Sequence, residues 1–96
     1  MSLDSNSRGI LEKTIDAALE QVPTVVQATR QAKESLLIKD ESDYTFGFFH
    51  GYVLALFTTT FISTKRRAPN EDEFQEIGHT INRRNPEIRE AISKAG

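Results

Sequence analysis

The chain has 96 residues, 38% of them hydrophobic and 27% charged, and its net charge at pH 7 is −2. This composition excludes disordered and fibrous proteins, predicts one soluble globular domain over residues 1–96, and does not favour general binding to nucleic acid. The absence of cysteine excludes disulfides and zinc–thiolate sites and is compatible with a reducing cytoplasm. Because the N-terminus also lacks an apolar signal region, we expect a cytoplasmic protein.

The first third of the chain carries one apolar stripe. Its residues are spaced alternately four and three apart from Leu11 to Leu36, which is the spacing of one helix face. Pro23 lies inside the stripe and lacks the backbone N–H that a helix interior needs. We therefore expect two helices, over about 5–21 and about 23–38. A single bent helix is the alternative, because the stripe keeps its phase across the proline.

The middle of the chain, Tyr44 to Thr64, contains no Lys, Arg, Asp or Glu and holds five of the six Phe and both Tyr. Asp40 or Ser42 can cap a helix here, and the cations of Lys65-Arg66-Arg67 suit its C-terminus. We expect a third helix over about 42–65. A helix that is apolar on several faces must be surrounded, so we expect this one at the centre of the fold.

The last third predicts two further helices. Asn70 and Glu73 have the spacing of a capping box at the start of a fourth helix. Asn85-Pro86 has the pattern of an N-cap followed by a first helical residue, which predicts a short fifth helix. No segment alternates as a strand would. The expected fold class is all-α, a bundle of four to five helices around the central apolar helix at about 42–65.

The central helix also contains the strongest candidate interaction site. Small residues recur every four positions and form one ridge, although each glycine costs a helix roughly 1 kcal/mol relative to alanine. The usual gain is close approach of a second backbone. The predicted interface consists of Gly47, Gly51, Ala55, Phe48, Phe49, Tyr52 and Leu56. We expect a self-associating interaction or scaffold module, a homodimer, that could also bind a further protein partner.

The same segment is long enough to cross a bilayer, and a flanking cluster of basic residues fits a spanning helix. However, only 12 of the 21 residues are apolar, and five are Thr. The neighbouring amphipathic stripes also need a partner to pack against. A buried helix of a soluble protein is therefore favoured over a membrane partner.

Metal chemistry has little support. Glu76 and His79 form a Glu-x-x-His pair, which is half of the motif in helical di-iron bundles, and His50 lies on an apolar helix face. The second Glu-x-x-His that such a site needs is missing. We therefore expect no metal and no cofactor, with His50, Glu76 and His79 as the alternative ligand set. No nucleophile constellation or phosphate-binding loop is visible either, so we expect no enzymatic activity.

A DNA-binding regulator is the remaining alternative. Residues 73–92 have the outline of a helix-turn-helix unit, and basic side chains within and before it could contact phosphate. They are Lys65, Arg66, Arg67, Arg83, Arg84 and Arg89. Acidic Glu87 and Glu90 on the would-be recognition helix would repel phosphate, and the turn is polar where a buried apolar residue is required. A solvated helical hairpin is therefore favoured over a DNA reader.

Overall fold

A computed structural model describes residues 2–96. They form three α-helices, α1 (Ser5–Ala32), α2 (Glu41–Lys65) and α3 (Glu71–Ala95), and this part of the chain contains no strand. Ion pairs join Arg8 to Glu76 and Glu12 to Arg84, so α1 and α3 run parallel. The pairs Asp4–Lys65 and Asp43–Arg89 each join the start of one helix to the far end of another, so α2 runs antiparallel to both. The all-α prediction is confirmed, whereas the prediction of four to five helices is wrong.

The two additional helices were predicted because proline usually ends a helix, but α1 and α3 each continue through a proline. Pro23 lies inside α1 and Pro86 inside α3, and both are exposed. A proline inside a helix costs about 3 kcal/mol or more. Val22 and Val26, on either side of Pro23, are buried in one core, and each such burial gains about 1.5–3 kcal/mol. The apolar stripe therefore holds the helix together across the proline, as the alternative of a single bent helix required, although this helix ends at Ala32 and not at about residue 38.

All three helices contribute to one hydrophobic core. The α1 stripe and the α3 isoleucines pack against a single row of α2. The buried apolar residues are Leu3, Leu11, Ile15, Ala18, Val22, Val26, Phe49, Val53, Phe57, Phe61, Ile77, Ile81, Ile88 and Ile92. The core lies on one side of α2 only, because two helices cannot enclose a third.

Side-chain caps fix the α2–α3 connection. Asn70 and Glu73 form the predicted capping box, in which each side chain accepts from the other's backbone N–H at 2.8 Å. Arg67 donates to both carboxylate oxygens of Glu73, at 2.7 and 3.1 Å. This bond and the Asn70 N–H lower the pKa of Glu73 to about 2. At the other end of α2, Asp40 is the N-cap, as one of the two predicted candidates.

A candidate interaction surface on helix α2

Helix α2 has two apolar faces, and the bundle covers only one of them. The inner face is a buried row at every fourth position, made of Thr45, Phe49, Val53, Phe57 and Phe61. We define the outer face as Tyr44, Gly47, Phe48, Gly51, Tyr52, Ala55, Leu56 and Ile62, all of which are exposed. Only 28% of the most apolar 18-residue stretch of α2 is buried. Helices α1 and α3 therefore leave the outer face of α2 uncovered in the single chain.

Large side chains form a continuous row along the outer face. Tyr44, Phe48, Tyr52 and Leu56 follow one another at intervals of four, and each is between 41% and 44% exposed. The rings of Phe48 and Tyr52 stack with centroids 5.8 Å apart and an angle of 7° between their planes. The edge contact of Phe48 with buried Phe49, at 5.3 Å, fixes this stack to the core. These contacts orient the Phe48 and Tyr52 rings relative to the core.

The small residues of the predicted ridge, Gly47, Gly51 and Ala55, run beside the row of large side chains and leave a depression there. A Cβ atom added at Gly47 or Gly51 would meet no atom within 4 Å, apart from the backbone of α2 itself. Neither glycine is therefore required for packing inside the chain. Because Ala55 is also exposed, the three residues form a shallow groove on the outer face. Close approach here can come only from another molecule.

Apolar surface continues from the outer face onto the end of α1. A groove of about 230 Å³ is lined by Val25, Ala28, Thr29, Ala32, Leu36, Tyr44 and Phe48. The α1–α2 connection adds Leu36, 55% exposed, and Leu37, 84% exposed. Leu37 has a φ of 56°, a left-handed conformation that is uncommon for a non-glycine residue. Leu37 therefore adds exposed apolar surface at the end of α1.

The opposite edge of α2 is closed by α3. The Arg89 guanidinium lies over the Phe46 ring, 4.0 Å from its centroid, and donates a hydrogen bond to Asp43 at 3.0 Å. His50 is half-buried beside Phe46, with ring centroids 6.3 Å apart. The apolar surface therefore extends from the outer face toward α1, and charged groups bound it on the α3 side.

One residue of the predicted interface belongs elsewhere. Phe49 is 1% exposed and lies in the core, so no partner can reach it. The other six predicted residues are exposed. Sequence reasoning missed Tyr44, Ile62, Leu36 and Leu37. Tyr44 could have been found, because it lies four residues before Phe48 and continues the same row.

The proposed metal ligands are not brought together. His50 lies on α2, whereas Glu76 and His79 lie on α3, and no group of three His, Asp or Glu side chains in residues 2–96 could hold a metal ion. The Glu76 carboxylate accepts from Arg8 at 2.6 Å and from the Leu3 N–H at 2.9 Å. These bonds lower the pKa of Glu76 and tie the N-terminal residues to α3.

The helix-turn-helix prediction fails on geometry, because α3 continues through residues 82–86 without a turn. Five of the six candidate phosphate contacts instead pair with carboxylates of the same chain. The pairs are Lys65 with Asp4, Arg67 with Glu73, Arg83 with Glu12, Arg84 with Glu12, Asp16 and Glu87, and Arg89 with Asp43. Little unpaired positive charge remains in this set to attract a phosphate backbone.

No protein family model matches the chain, and neither a curated protein nor a solved structure matches it. The outer face of α2 must therefore be interpreted from its own chemistry. By length and composition α2 is also the one helix of residues 2–96 that could cross a membrane.

Proposed function

We propose that the protein is a non-enzymatic interaction module that forms a soluble homodimer in the cytoplasm through the outer face of α2. One observation carries the proposal: the row Tyr44, Phe48, Tyr52 and Leu56 is apolar and two-fifths exposed. An apolar patch of this kind on a soluble protein marks an interaction surface. Covering what remains exposed would gain on the order of 1–2 kcal/mol for each large side chain.

A second copy fits this face because the face is complementary to itself. A row of large side chains lies next to a groove floored by Gly47, Gly51 and Ala55. When two copies meet, the row of each can enter the groove of the other, as ridges enter grooves between packed helices. A two-fold dimer uses the same patch on both subunits, which this arrangement satisfies.

Lipid fits the face less well than protein. Helices α1 and α3 pack along the inner side of α2 and carry the ion pairs that join them, including the Arg84 guanidinium with Glu12 and Asp16. A bilayer around α2 would also surround these charges, at a cost of several kcal/mol. The outer face has no basic residue between Asp43 and Lys65 to contact lipid head groups.

Charges placed on the outer face test the proposal. The double variant Phe48→Glu, Leu56→Glu would bury four like charges in the dimer, so we expect a monomer. The matched control is Gln31→Glu, Gln75→Glu, which adds the same charge at exposed positions on α1 and α3. Sedimentation equilibrium in detergent-free buffer measures mass, and circular dichroism verifies that the helices remain.

We expect the wild type and the control to be dimers and the outer-face variant to be a folded monomer. A wild type that is monomeric at tens of micromolar, or an outer-face variant that keeps the dimer mass, would overturn the proposal. A wild type that requires detergent to stay in solution would favour the membrane instead.

A further inference from the structure

The aromatic part of α2 lies beside a stretch of α1 that carries no charge. Residues 21–29 contain no Lys, Arg, Asp or Glu, and neither do residues 44–64 of α2. The two stretches pack together, since the hydroxyl oxygens of Thr29 and Thr45 lie 3.3 Å apart. Charged residues recur, in contrast, along residues 5–20 of α1 and along the whole of α3. One uncharged surface therefore spans both α1 and α2.

A groove runs along the line where these two stretches meet. We call it the α1–α2 groove; its volume is about 230 Å³, and it is lined by Val25, Ala28, Thr29, Ala32, Leu36, Tyr44 and Phe48. Hydroxyl groups of Thr29 and Tyr44 are the only polar groups among these side chains. Beyond the uncharged stretch, Arg30 and Lys33 each lie 3.9 Å from Glu41, which balances their charge within the chain. The groove therefore suits apolar side chains.

The outer face of α2 alone offers little area for a stable dimer. Its five large side chains are 41–44% exposed. At roughly 200 Å² for each free side chain they present roughly 400 Å², and the small residues beside them bring this to roughly 500 Å². A stable interface buries about 800 Å² on each partner. A single crossing helix would not cover even this much, because helices packed at an angle touch over only a few turns.

The α1 side supplies the missing area. Leu36 is 55% exposed and Leu37 is 84% exposed. Together with Ala28 they add roughly 300 Å² of apolar surface, which brings the total to about 800 Å² on each copy. Tyr44 and Phe48 belong both to the outer face and to the α1–α2 groove. A partner that covers these two rings and leaves the groove empty would enclose an apolar void, which destabilises a contact.

We propose that the second copy of the dimer lies across α1 as well as α2 and fills the α1–α2 groove with its own apolar side chains. This inference rests on the proposed self-association and adds α1 to the contact. The second copy has the chemistry that the groove requires, because its outer face presents a row of tyrosine, phenylalanine and leucine without charge. Interface cores are enriched in aromatic residues and depleted of charged ones. The interface is then a layer of four helices, two from each copy.

A charge placed in the groove on α1 tests this inference while α2 stays unchanged. Ala28→Glu puts a carboxylate at an exposed position that lines the groove. If the second copy covers this position, each dimer buries two unpaired carboxylates, and we expect the dimer dissociation constant to rise at least about tenfold. The matched control is Gln27→Glu, which adds the same charge at an exposed neighbour that does not line the groove.

A second variant removes apolar surface without adding charge. Leu36→Ala shortens an exposed side chain of the groove, and we expect the dissociation constant to rise about fivefold. Sedimentation over a dilution series in detergent-free buffer measures all three variants and the wild type. Circular dichroism during urea denaturation verifies that each variant remains folded.

We expect wild type and Gln27→Glu to dimerise equally tightly, and Ala28→Glu and Leu36→Ala to dimerise more weakly. A dimeric wild type with equal dissociation constants for Ala28→Glu, Leu36→Ala and Gln27→Glu would overturn the part assigned to α1 and leave the contact through α2 intact. A wild type that stays monomeric would overturn both proposals and leave a different protein or a lipid surface as the occupant of the groove.

Discussion

The inner and outer faces of α2 are built from the same kinds of residue and differ in what covers them. Each is a row of large apolar side chains at every fourth position, Phe49 to Phe61 inside and Tyr44 to Leu56 outside. Helices α1 and α3 enclose the inner row and leave the outer row two-fifths exposed. The sequence of α2 is therefore more apolar than its own chain requires. The difference separates residues that stabilise the fold from residues that we assign to association.

The largest effect is expected on the inner face. Phe57 is 1% exposed, and Phe57→Ala would remove its ring and leave a cavity. We expect the free energy of unfolding to fall by about 3–5 kcal/mol. Urea denaturation followed by circular dichroism measures this, at a protein concentration held constant because dimerisation adds to stability. A loss below about 1 kcal/mol would show that the inner row is not the core.

The matching change on the outer face should act on association instead. Phe48→Ala with Tyr52→Ala removes the stacked pair, whose rings touch only one buried ring, Phe49. We expect the dimer dissociation constant to rise by at least about 30-fold, since buried aromatic anchors are worth about 2 kcal/mol or more. Sedimentation over a dilution series measures it. An unchanged dissociation constant, together with a loss of unfolding free energy as large as that of Phe57→Ala, would contradict the distinction between the two faces.

A glycine replacement should move stability and association in opposite directions. Gly51→Ala adds a methyl group that meets nothing in the chain, so we expect the helix of the monomer to gain up to about 1 kcal/mol. The same methyl group would fill the groove and weaken the dimer. Gly9→Ala is the control, because its added Cβ is equally free but lies on α1.

Both variants should unfold at higher urea concentration when measured as monomers, and only Gly51→Ala should dissociate more readily. If Gly51→Ala dimerises as tightly as Gly9→Ala, the small ridge is not the point of closest contact.

The smallest effect concerns pH, which should change the stability of the fold but not the association of two copies. Arg67 and the Asn70 N–H lower the pKa of Glu73 from 4.5 to about 2. A lowered folded pKa means that this stabilisation is complete above about pH 4.5 and is lost as the pH falls through about 2. The outer face has no carboxylate between Asp43 and Lys65.

We therefore expect the unfolding midpoint of the wild type to fall between pH 4.5 and pH 2, with a shallower fall in Glu73→Gln. The dimer mass should be the same at pH 7 and pH 5. If the unfolding midpoint falls equally in wild type and Glu73→Gln between pH 4.5 and pH 2, the Arg67–Glu73 pair does not contribute to stability.

Much of the fold could be predicted because it depends on local signals. The Asp40 cap, the Asn70–Glu73 capping box and the extent of α2 follow from neighbouring residues. Two helix breaks were predicted that the structure does not contain, and both predictions have one cause. Pro23 and Pro86 are strong local breakers, and only burial of the stripe on both sides of each proline, a tertiary effect, overrides them.

The candidate site could be predicted in part. The spacing of Gly47, Gly51 and Ala55 located the ridge, but a helix that is apolar all round does not reveal which face its own chain will cover. Phe49 was assigned to the interface for that reason and is in the core. The exposure of Leu37 depends on where α1 ends, and that end was predicted too late because the apolar stripe continues to Leu36.

The most direct test is the mass of the unmodified protein in solution. Sedimentation equilibrium at tens of micromolar, in buffer without detergent, compares that mass with the 10.8 kDa of one chain. We expect twice that mass, since the outer face of α2 would then be covered by its own copy. A mass of one chain at every concentration tested would contradict the claim that this face exists to bind a second copy.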